Sequence, residues 1–171
     1  EANLKTLVRE AELNMLKNQI NPHFLFNSLN SINLLIRKDQ LKAREMVVKL
    51  SEFMRYSLKK NTNGNITTLK EELENMNKYL EIEKIRFGSK LKFVNKVDEK
   101  YHSYYIPSMI LQPIFENAIK HGVYESTEPI TITISAELRG ELLYISVQNN
   151  YDPDAVTRKG EGIGLKNIAE R

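Results

Sequence analysis

The sequence predicts two modules: a helical hairpin, followed by an α+β domain in which helices pack on a mostly antiparallel sheet. Apolar residues recur at helical spacing through the first 58 positions. A polar, asparagine-rich stretch over 60–65 interrupts this pattern and is typical of a linker. Beyond it, amphipathic helical segments are mixed with short alternating segments that favour strands. We therefore place a helical domain at residues 1–60 and a second domain at residues 66–171.

The first helix is predicted from Leu4 to Ile36, and Pro22 lies inside it. Because proline removes a backbone donor, we expect the helix to bend or loosen there. His23 follows directly, and a neutral imidazole can attack a phosphoryl group or carry a proton. A lone helical histidine is more often a structural residue, but the amides around it favour a functional one without defining its chemistry. These amides belong to Gln19, Asn21 and Asn27.

The second helix is predicted from Leu41 to Leu58, after a short turn at Asp39 and Gln40. Both helices carry more apolar surface than one hairpin can bury. A second copy of the hairpin covers this surface most simply, so the sequence predicts a homodimer built on a four-helix bundle. The alternative is a monomer in which the second domain folds back over the apolar stripe.

The second domain opens with a helix whose two ends are both marked in the sequence. Thr68 and Glu71 have the spacing of a capping box, and the helix is expected to run to Phe87 with Gly88 as its stop. The other predicted elements are a strand over 90–97, a helix over 105–120, and strands over 130–138 and 142–148 joined by a hairpin turn at Arg139 and Gly140.

The helix predicted over 105–120 has one apolar face and one polar face. Asn117, Lys120 and His121 stand at i, i+3 and i+4, so they share the polar face of an α-helix. An amide oxygen suits a hard cation such as Mg²⁺, and a lysine one turn away suits phosphate oxygens. A solvated polar face is the commoner meaning of such a pattern. The opposite, buried face is predicted to hold Ile110, Leu111, Ile114, Phe115, Ala118 and Ile119.

Residues 160–164 hold three glycines directly before a last predicted helix that begins at Leu165. Backbone amides at such a position can bind an anion, and Arg158 and Lys159 add positive charge. The run lacks the Gly-Lys-Ser/Thr of a P-loop, and no strand immediately precedes it as a dinucleotide-binding fingerprint requires. A glycine-rich loop is weak evidence by itself.

Composition excludes several classes of function. The 171 residues carry a net charge of +3, and the basic residues are interspersed with acidic ones, so we expect no nucleic-acid partner. The absence of cysteine excludes disulfides and thiolate zinc sites. No apolar run is long enough for a membrane span or a signal peptide. Because the chain starts at Glu1 without a methionine, we expect an excerpt of a longer protein.

Three motifs, in this order, resemble the LytS/YehU-type sensor histidine kinases. They are Asn21-Pro22-His23-Phe24-Leu25-Phe26-Asn27, the run from Gln112-Pro113 through Glu116-Asn117-Ala118 to Lys120-His121-Gly122, and Gly162-Ile163-Gly164-Leu165 with Asn167 and Arg171. The stretch from Leu69 to Phe87 also resembles the first helix of that family's ATP domain. The resemblance covers nearly the whole chain. It implies a dimeric helical hairpin followed by a two-layer Bergerat-type ATP-binding sandwich.

The resemblance also implies an activity and a site. An ATP-dependent histidine kinase of this type phosphorylates its own histidine, here His23, and passes the phosphoryl group to an aspartate of a response regulator. Asn117 would hold Mg²⁺. The residues implied to contact ATP are Asn117, Lys120, His121, Asn149, Lys159, Gly160, Gly162, Gly164, Leu165 and Asn167. The chain would be the cytoplasmic portion of an inner- or plasma-membrane protein, attached to the membrane only through segments upstream.

The chain departs from the family pattern in two places. Asn149 stands where the family has an aspartate that reads adenine, which predicts weak ATP binding and poor discrimination against GTP. The chain also stops at Arg171, before the last glycine motif and closing strand, so an incomplete ATP domain is expected.

Phe24 occupies the position after the histidine, where many other histidine kinases have an acidic residue that acts as the base. No general base is therefore identified from this sequence.

Two other functions remain open from the sequence. A non-catalytic ATP-binding or scaffold module with the same fold is favoured by the missing aspartate and opposed by His23 and Asn117. An ATP-driven conformational machine of the gyrase or chaperone type is disfavoured because Pro113 stands four residues before Asn117, where that class has a glutamate.

Overall fold

The computed structural model describes residues 21–62, 66–124 and 126–150. The chain divides into two compact units, Glu1–Asn63 and Gly64–Arg171, and each is described by itself. Within the described ranges, no helix combines the length and the apolar character that a bilayer crossing requires. The assignment of separate functions to the two units stays a prediction.

The first unit is a hairpin of helix α1 (Pro22–Lys38) and helix α2 (Gln40–Thr62). Asn21 caps α1: its side chain accepts hydrogen bonds from the backbone N–H groups of His23 and Phe24, and its ψ of 109° is not helical. The prediction of one helix passing through Pro22 is therefore wrong. Proline occupies the first turn, where its missing N–H is no loss, and it starts the helix instead of bending it. The part of that prediction over 4–20 lies outside the described residues.

The two helices bury one stripe from each. The ring of Phe24 meets that of Phe53 edge to face, with centroids 5.4 Å apart. Ser28 and Ser57 lie within this interface without exposing an unpaired hydroxyl, because each donates to the carbonyl four residues earlier. The predicted end of α2 at Leu58 was four residues too early, since no glycine or proline interrupts the helix before Thr62. The buried apolar residues are Phe24, Ile32, Ala43, Met46, Leu50 and Phe53.

The second unit begins with strand β1 (Ile66–Thr68), which runs directly into helix α3 (Leu69–Phe87). The Thr68 hydroxyl caps α3 by accepting from the Glu71 N–H at 3.3 Å, and Gly88 ends it with a φ of 57°. The predicted boundaries of this helix are confirmed. The Glu71 carboxylate accepts from the Thr67 hydroxyl, so the cap forms by a variant of the predicted capping box.

The helix predicted over 105–120 begins later than predicted, at Leu111. Residues Tyr105–Pro107 form strand β3, which pairs antiparallel with β1, and helix α4 (Leu111–Ala118) begins only after a turn. Proline disfavours helical conformation in the residue before it, and Ile106 is buried opposite Thr67 instead. The turn is held by the fully buried Glu72 of α3, whose carboxylate accepts from the Met109 N–H at 2.9 Å.

The larger sheet has strand order β2–β4–β5, with β2 at Leu91–Asn95, β4 at Ile130–Arg139 and β5 at Leu142–Asn149. Strands β4 and β5 are antiparallel, as predicted, but β2 is parallel to β4, so the sheet is mixed. The connection from β2 to β4 contains α4, which provides the crossover that parallel strands need. Ile130, Ile132 and Ile134 are buried, and Phe93 of β2 stacks edge to face on Phe115 of α4 at 5.7 Å.

Candidate functional site

His23 is exposed in the first turn of α1. Its backbone N–H is bound by the Asn21 side chain at 3.0 Å, and the amide nitrogen of Asn27 lies 3.1 Å from each of the two ring nitrogens. No acidic residue occupies the first turn of this helix. The partial positive charge of the helix N-terminus favours negative charge at this position. The position therefore suits the approach of an anionic group to the His23 ring.

The next residue fixes the direction of the His23 side chain. Phe24 is 3% exposed and anchors α1 against α2. Successive residues of an α-helix are about 100° apart, so His23 projects to one flank of the buried stripe and is held there by its neighbour. An acidic residue at position 24, if present, would have been buried in the hairpin.

Each hairpin helix carries a second apolar stripe, displaced about 90° from the buried one. Because α1 and α2 are antiparallel neighbours, the same rotation brings both stripes to one side of the hairpin, and His23 is on the opposite flank. On α1 the stripe contains Leu25, Leu29 and Ile36, and on α2 it contains Val47, Met54 and Leu58.

In the second unit, Asn117, Lys120 and His121 lie at the end of α4. Asn117 is half-buried in the last α-helical turn, whereas Lys120 and His121 belong to a π-helical turn, Ile119–Val123, that continues it. The Tyr124 N–H bonds to the Ile119 carbonyl, five residues earlier, at 3.1 Å. The three polar residues are therefore not all in α-helical turns, and that they share one face stays a prediction.

The predicted buried face of α4 is correct in part. The side chains of Leu111, Phe115, Ala118 and Ile119 are buried, whereas Ile110 and Ile114 are half-buried.

Strand β5 brings Asn149 against this π-helical turn. A Cβ atom added at Gly122 would lie 3.3 Å from the Asn149 amide nitrogen and 3.3 Å from a methyl group of Ile130. Glycine at position 122 is thus what lets the end of β5 approach so closely. Asn149 and the polar end of α4 form one local cluster, although 27 positions separate Asn149 from Gly122.

Asn149 and its neighbour have different roles. The Asn149 amide nitrogen donates to the Asn150 carbonyl at 3.0 Å. The side-chain oxygen of Asn149 is therefore the group that a ligand could contact. Asn150 ties the end of β5 to the start of β4: its side-chain oxygen accepts from the Thr131 N–H at 2.6 Å, and its amide nitrogen donates to the Pro129 carbonyl at 3.1 Å. Asn150 is therefore the residue with the structural role.

The remaining predicted ATP contacts lie outside the described residues. They are Lys159, Gly160, Gly162, Gly164, Leu165 and Asn167.

The sequence reasoning missed a buried polar cluster between α3 and the end of α4. Glu83 is 1% exposed and receives two hydrogen bonds from Arg86, at 2.9 and 3.1 Å. The Arg86 guanidinium lies over the rings of Phe87 and Tyr124, at 5.0 and 5.4 Å from their centroids. The signal was present as polar residues at helical spacing along α3, which are Glu72, Asn75, Tyr79, Glu83 and Arg86.

Burial governs the electrostatics of this cluster. Removal from water raises the pKa of the Glu83 carboxyl, Arg86 lowers it, and the nearby Glu116 raises it further. Burial also raises the pKa of the Tyr79 hydroxyl, with the Glu83 carboxylate adding to the rise. Arg86 thus stabilises the buried Glu83 carboxylate at the contact between α3 and the end of α4.

Comparisons with known proteins identify the family of this chain. The histidine kinase family model matches residues 11–91. The chain is 36% identical over 167 residues to the sensor histidine kinase BtsS of Escherichia coli K12, covering 98% of this chain and 29% of that protein. It is 37% identical over 171 residues to the sensor histidine kinase YesM of Bacillus subtilis, covering 96% of this chain and 29% of that protein. It is 35% identical over 144 residues to the sensor protein LytS of Staphylococcus epidermidis, covering 84% of this chain and 24% of that protein. The chain thus spans less than a third of these relatives. It belongs to the family of sensor histidine kinases that includes LytS.

Proposed function

We propose that this chain is a histidine kinase core that transfers the γ-phosphoryl group of ATP to a ring nitrogen of His23, and from there to an aspartate of a response regulator. The proposal rests mainly on the exposure and the position of His23. It is exposed at the positive end of a rigidly anchored helix, with an amide against its ring, in a member of the sensor histidine kinase family.

The reaction requires a neutral ring. The lone pair of one ring nitrogen forms the bond to the γ-phosphorus, the bond from that phosphorus to the bridging oxygen breaks, and ADP leaves with the electron pair. The proton on the other ring nitrogen then passes to solvent. Such a transfer depends mainly on positioning and on neutralising charge at the phosphoryl oxygens.

Asn117 and Lys120 fit a nucleotide bound with Mg²⁺. Within the described ranges, the Asn117 amide makes no hydrogen bond to another residue, so its oxygen is available to a hard cation. No cluster of three or more acidic, histidine or cysteine side chains in those ranges could hold a metal alone. This agrees with Mg²⁺, which commonly takes few protein ligands and completes its shell with phosphate oxygens and water. When bound, Mg²⁺ would neutralise charge on those oxygens, and Lys120 would contact them.

Phosphohistidine chemistry provides the test. The full-length protein incubated with γ-labelled ATP is expected to acquire label that is stable in base and lost in acid. A non-catalytic ATP-binding module, the second candidate, is favoured by Asn149 at the position of the family's aspartate. That candidate predicts ATP binding in calorimetry without any covalent label.

We expect Asn149→Asp to tighten ATP binding by about fivefold and to strengthen the preference for ATP over GTP. A carboxylate accepts a charge-assisted hydrogen bond from the adenine amine, which is stronger than the neutral one that an amide oxygen accepts. The wild-type amide can also turn its nitrogen toward a guanine carbonyl, at the cost of its hydrogen bond to the Asn150 carbonyl. Calorimetric titration of each nucleotide measures both effects.

Asn150→Asp is the matched control for this change. It adds the same charge one residue along. Each change also removes one side-chain donation, to the Asn150 carbonyl in Asn149→Asp and to the Pro129 carbonyl in Asn150→Asp. Asn150→Asp should therefore lower thermal stability and leave base preference unaltered. An unchanged ratio of ATP to GTP affinity in Asn149→Asp would show that adenine is held elsewhere.

We further propose that the second apolar stripe of the hairpin is the dimer interface. Leu29 on α1 is 49% exposed and Val47 on α2 is 46% exposed, on the same side of the hairpin. Docking this side on its copy would complete a four-helix bundle and leave both His23 side chains on outer flanks. The proposal thus explains why the apolar side chains of this stripe remain on the surface of the unit.

The double change Leu29→Lys with Val47→Lys is expected to convert the protein to a monomer at micromolar concentration, because two charges per protomer would be buried without partners. Sedimentation velocity measures this. Leu34→Lys with Val48→Lys is the matched control, since these residues are 64% and 52% exposed but lie off the stripe. A wild-type monomer, or equal dissociation of both double variants, would refute this interface.

A further inference from the structure

We propose that Glu72 is a positioning residue for the nucleotide site: it caps helix α4 from the neighbouring helix α3 and thereby holds the Asn117 amide where it can bind Mg²⁺. This inference rests on the function proposed above. Glu72 lies in the first turn of α3 and is fully buried. A buried carboxylate is costly unless donors surround it, so its hydrogen-bond partners indicate what it stabilises.

The partners of Glu72 include backbone donors at the start of α4. One carboxylate oxygen accepts from the Met109 N–H at 2.9 Å, and the other accepts from the Leu111 N–H at 3.4 Å. The negative charge also lies at the N-terminus of α4, where the helix dipole is positive. Glu72 therefore does for α4 what an N-cap side chain does for an ordinary helix.

Helix α4 has no side-chain cap of its own. Ile110 occupies the N-cap position, and its side chain cannot accept a hydrogen bond. Met109 precedes it with a φ of 63°, which makes it the one non-glycine residue of positive φ in the ranges that the structure describes. This left-handed conformation costs free energy in a residue with a Cβ atom. Without the acceptor for the Met109 N–H, the turn would therefore relax and α4 would start in a different place.

The start of α4 decides where Asn117 lies. The helix has 8 residues, and Asn117 is about 9 Å along its axis from Leu111. A helix this short depends on its contacts more than on its own hydrogen bonds, so a displaced first turn also displaces Asn117. Mg²⁺ requires nearly octahedral geometry with oxygen ligands at about 2.0–2.1 Å. A small displacement of the amide oxygen is therefore enough to weaken Mg²⁺ binding.

Glu72→Gln tests the proposal, because an amide keeps the size of the side chain but offers one acceptor oxygen in place of two. In the full-length protein, we expect Mg²⁺-dependent ATP binding to weaken about tenfold, as is typical when a residue that orients a metal ligand is lost. Ca²⁺-dependent ATP binding should weaken at most about twofold, since Ca²⁺ accepts longer and less regular coordination. Calorimetric titration of ATP with each cation measures both affinities. A loosened fold alone would lower the two affinities equally.

Hydrogen exchange of the protein without nucleotide locates the change. In Glu72→Gln, the backbone amides should exchange faster at the start of α4 and also over 115–118, the turn that carries Asn117. Glu72→Leu is a second variant, which fills the buried space without a polar group and should lose the preference for Mg²⁺ in the same way.

Thr68→Ala is the matched control. It removes the hydroxyl that caps α3 in the same unit, so it should lower thermal stability. Exchange in α4 and the preference for Mg²⁺ over Ca²⁺ should stay as in wild type, because α4 keeps the Glu72 carboxylate.

Equal weakening with both cations in Glu72→Gln, or faster exchange that stops before residue 115, would overturn the positioning role of Glu72. The same loss of Mg²⁺ preference in Thr68→Ala would also overturn it. Failure of wild type to bind ATP with either cation would instead refute the nucleotide site proposed for this unit. Exchange in α4 would then still decide whether Glu72 holds the turn that carries Asn117.

Discussion

His23→Gln is expected to abolish acid-labile labelling of the full-length protein by γ-labelled ATP, with no residual incorporation above background. Glutamine keeps a polar side chain of similar length but has no lone-pair nitrogen that can attack phosphorus. Because position 23 is exposed, the substitution should leave the hairpin intact. Nucleotide affinity should also be unchanged, since the proposed ATP contacts all belong to the other compact unit.

The chain contains three histidines, which makes the assignment of the acceptor decisive. His102→Gln is the control, because that residue lies in neither proposed site and should label like wild type. His121→Gln is expected to weaken nucleotide binding instead of removing the acceptor. Label retained in His23→Gln would refute the acceptor assignment, and loss of label together with ATP affinity would indicate a folding defect.

The sequence predicted most of the elements whose signals are local. The Asn-Pro pair that starts α1 is itself such a signal, an N-cap residue followed by proline in the first turn. The sequence analysis nevertheless predicted one helix through this pair, because apolar residues recur at helical spacing on both sides of it, from Leu4 to Ile36. The hairpin of β4 and β5 and the two ends of α3 were predicted correctly because turn glycines and a capping threonine mark them.

The features that were missed depend on distant partners. Tyr105–Pro107 has apolar spacing that fits a helix, but pairing with β1, nearly 40 positions earlier, makes it a strand. The π-helical turn that contains Lys120 and His121 also has no local sequence pattern. The approach of Asn149 to Gly122 likewise joins two segments whose contact no periodicity reports.

The contact between α3 and α4 shows how burial changes the meaning of a charge pattern. On the sequence, Glu83 and Arg86 form an ordinary i, i+3 pair of the kind found on solvated helix faces. In the structure their side chains are 1% and 12% exposed. The pair Glu137 and Arg139, by contrast, has the same partner types and an arginine stacked on Tyr144, but its side chains are 57% and 63% exposed. Only the first pair is expected to matter for folding.

Arg86→Met is therefore expected to lower the free energy of unfolding by about 3 kcal/mol at pH 8, because it leaves the Glu83 carboxylate buried without its cation. The loss should be smaller at pH 5. Burial already raises the pKa of Glu83 above the ordinary 4.5, and removing Arg86 takes away the main influence that lowers it. A carboxyl whose folded-state pKa is raised stabilises the protein while it is protonated, and this stability is lost as pH rises through that pKa.

Urea unfolding of Arg86→Met at pH 5 and pH 8 measures this dependence. The double variant Glu83→Gln with Arg86→Met should recover much of the stability at pH 8 and lose the difference between the two pH values, because no buried carboxyl remains at position 83. Arg139→Met is the matched exposed control, expected to cost at most about 1 kcal/mol at either pH. An equal loss at pH 5 and pH 8 in Arg86→Met would show that the guanidinium acts through its stacking on Phe87 and Tyr124 and not through the charge of Glu83.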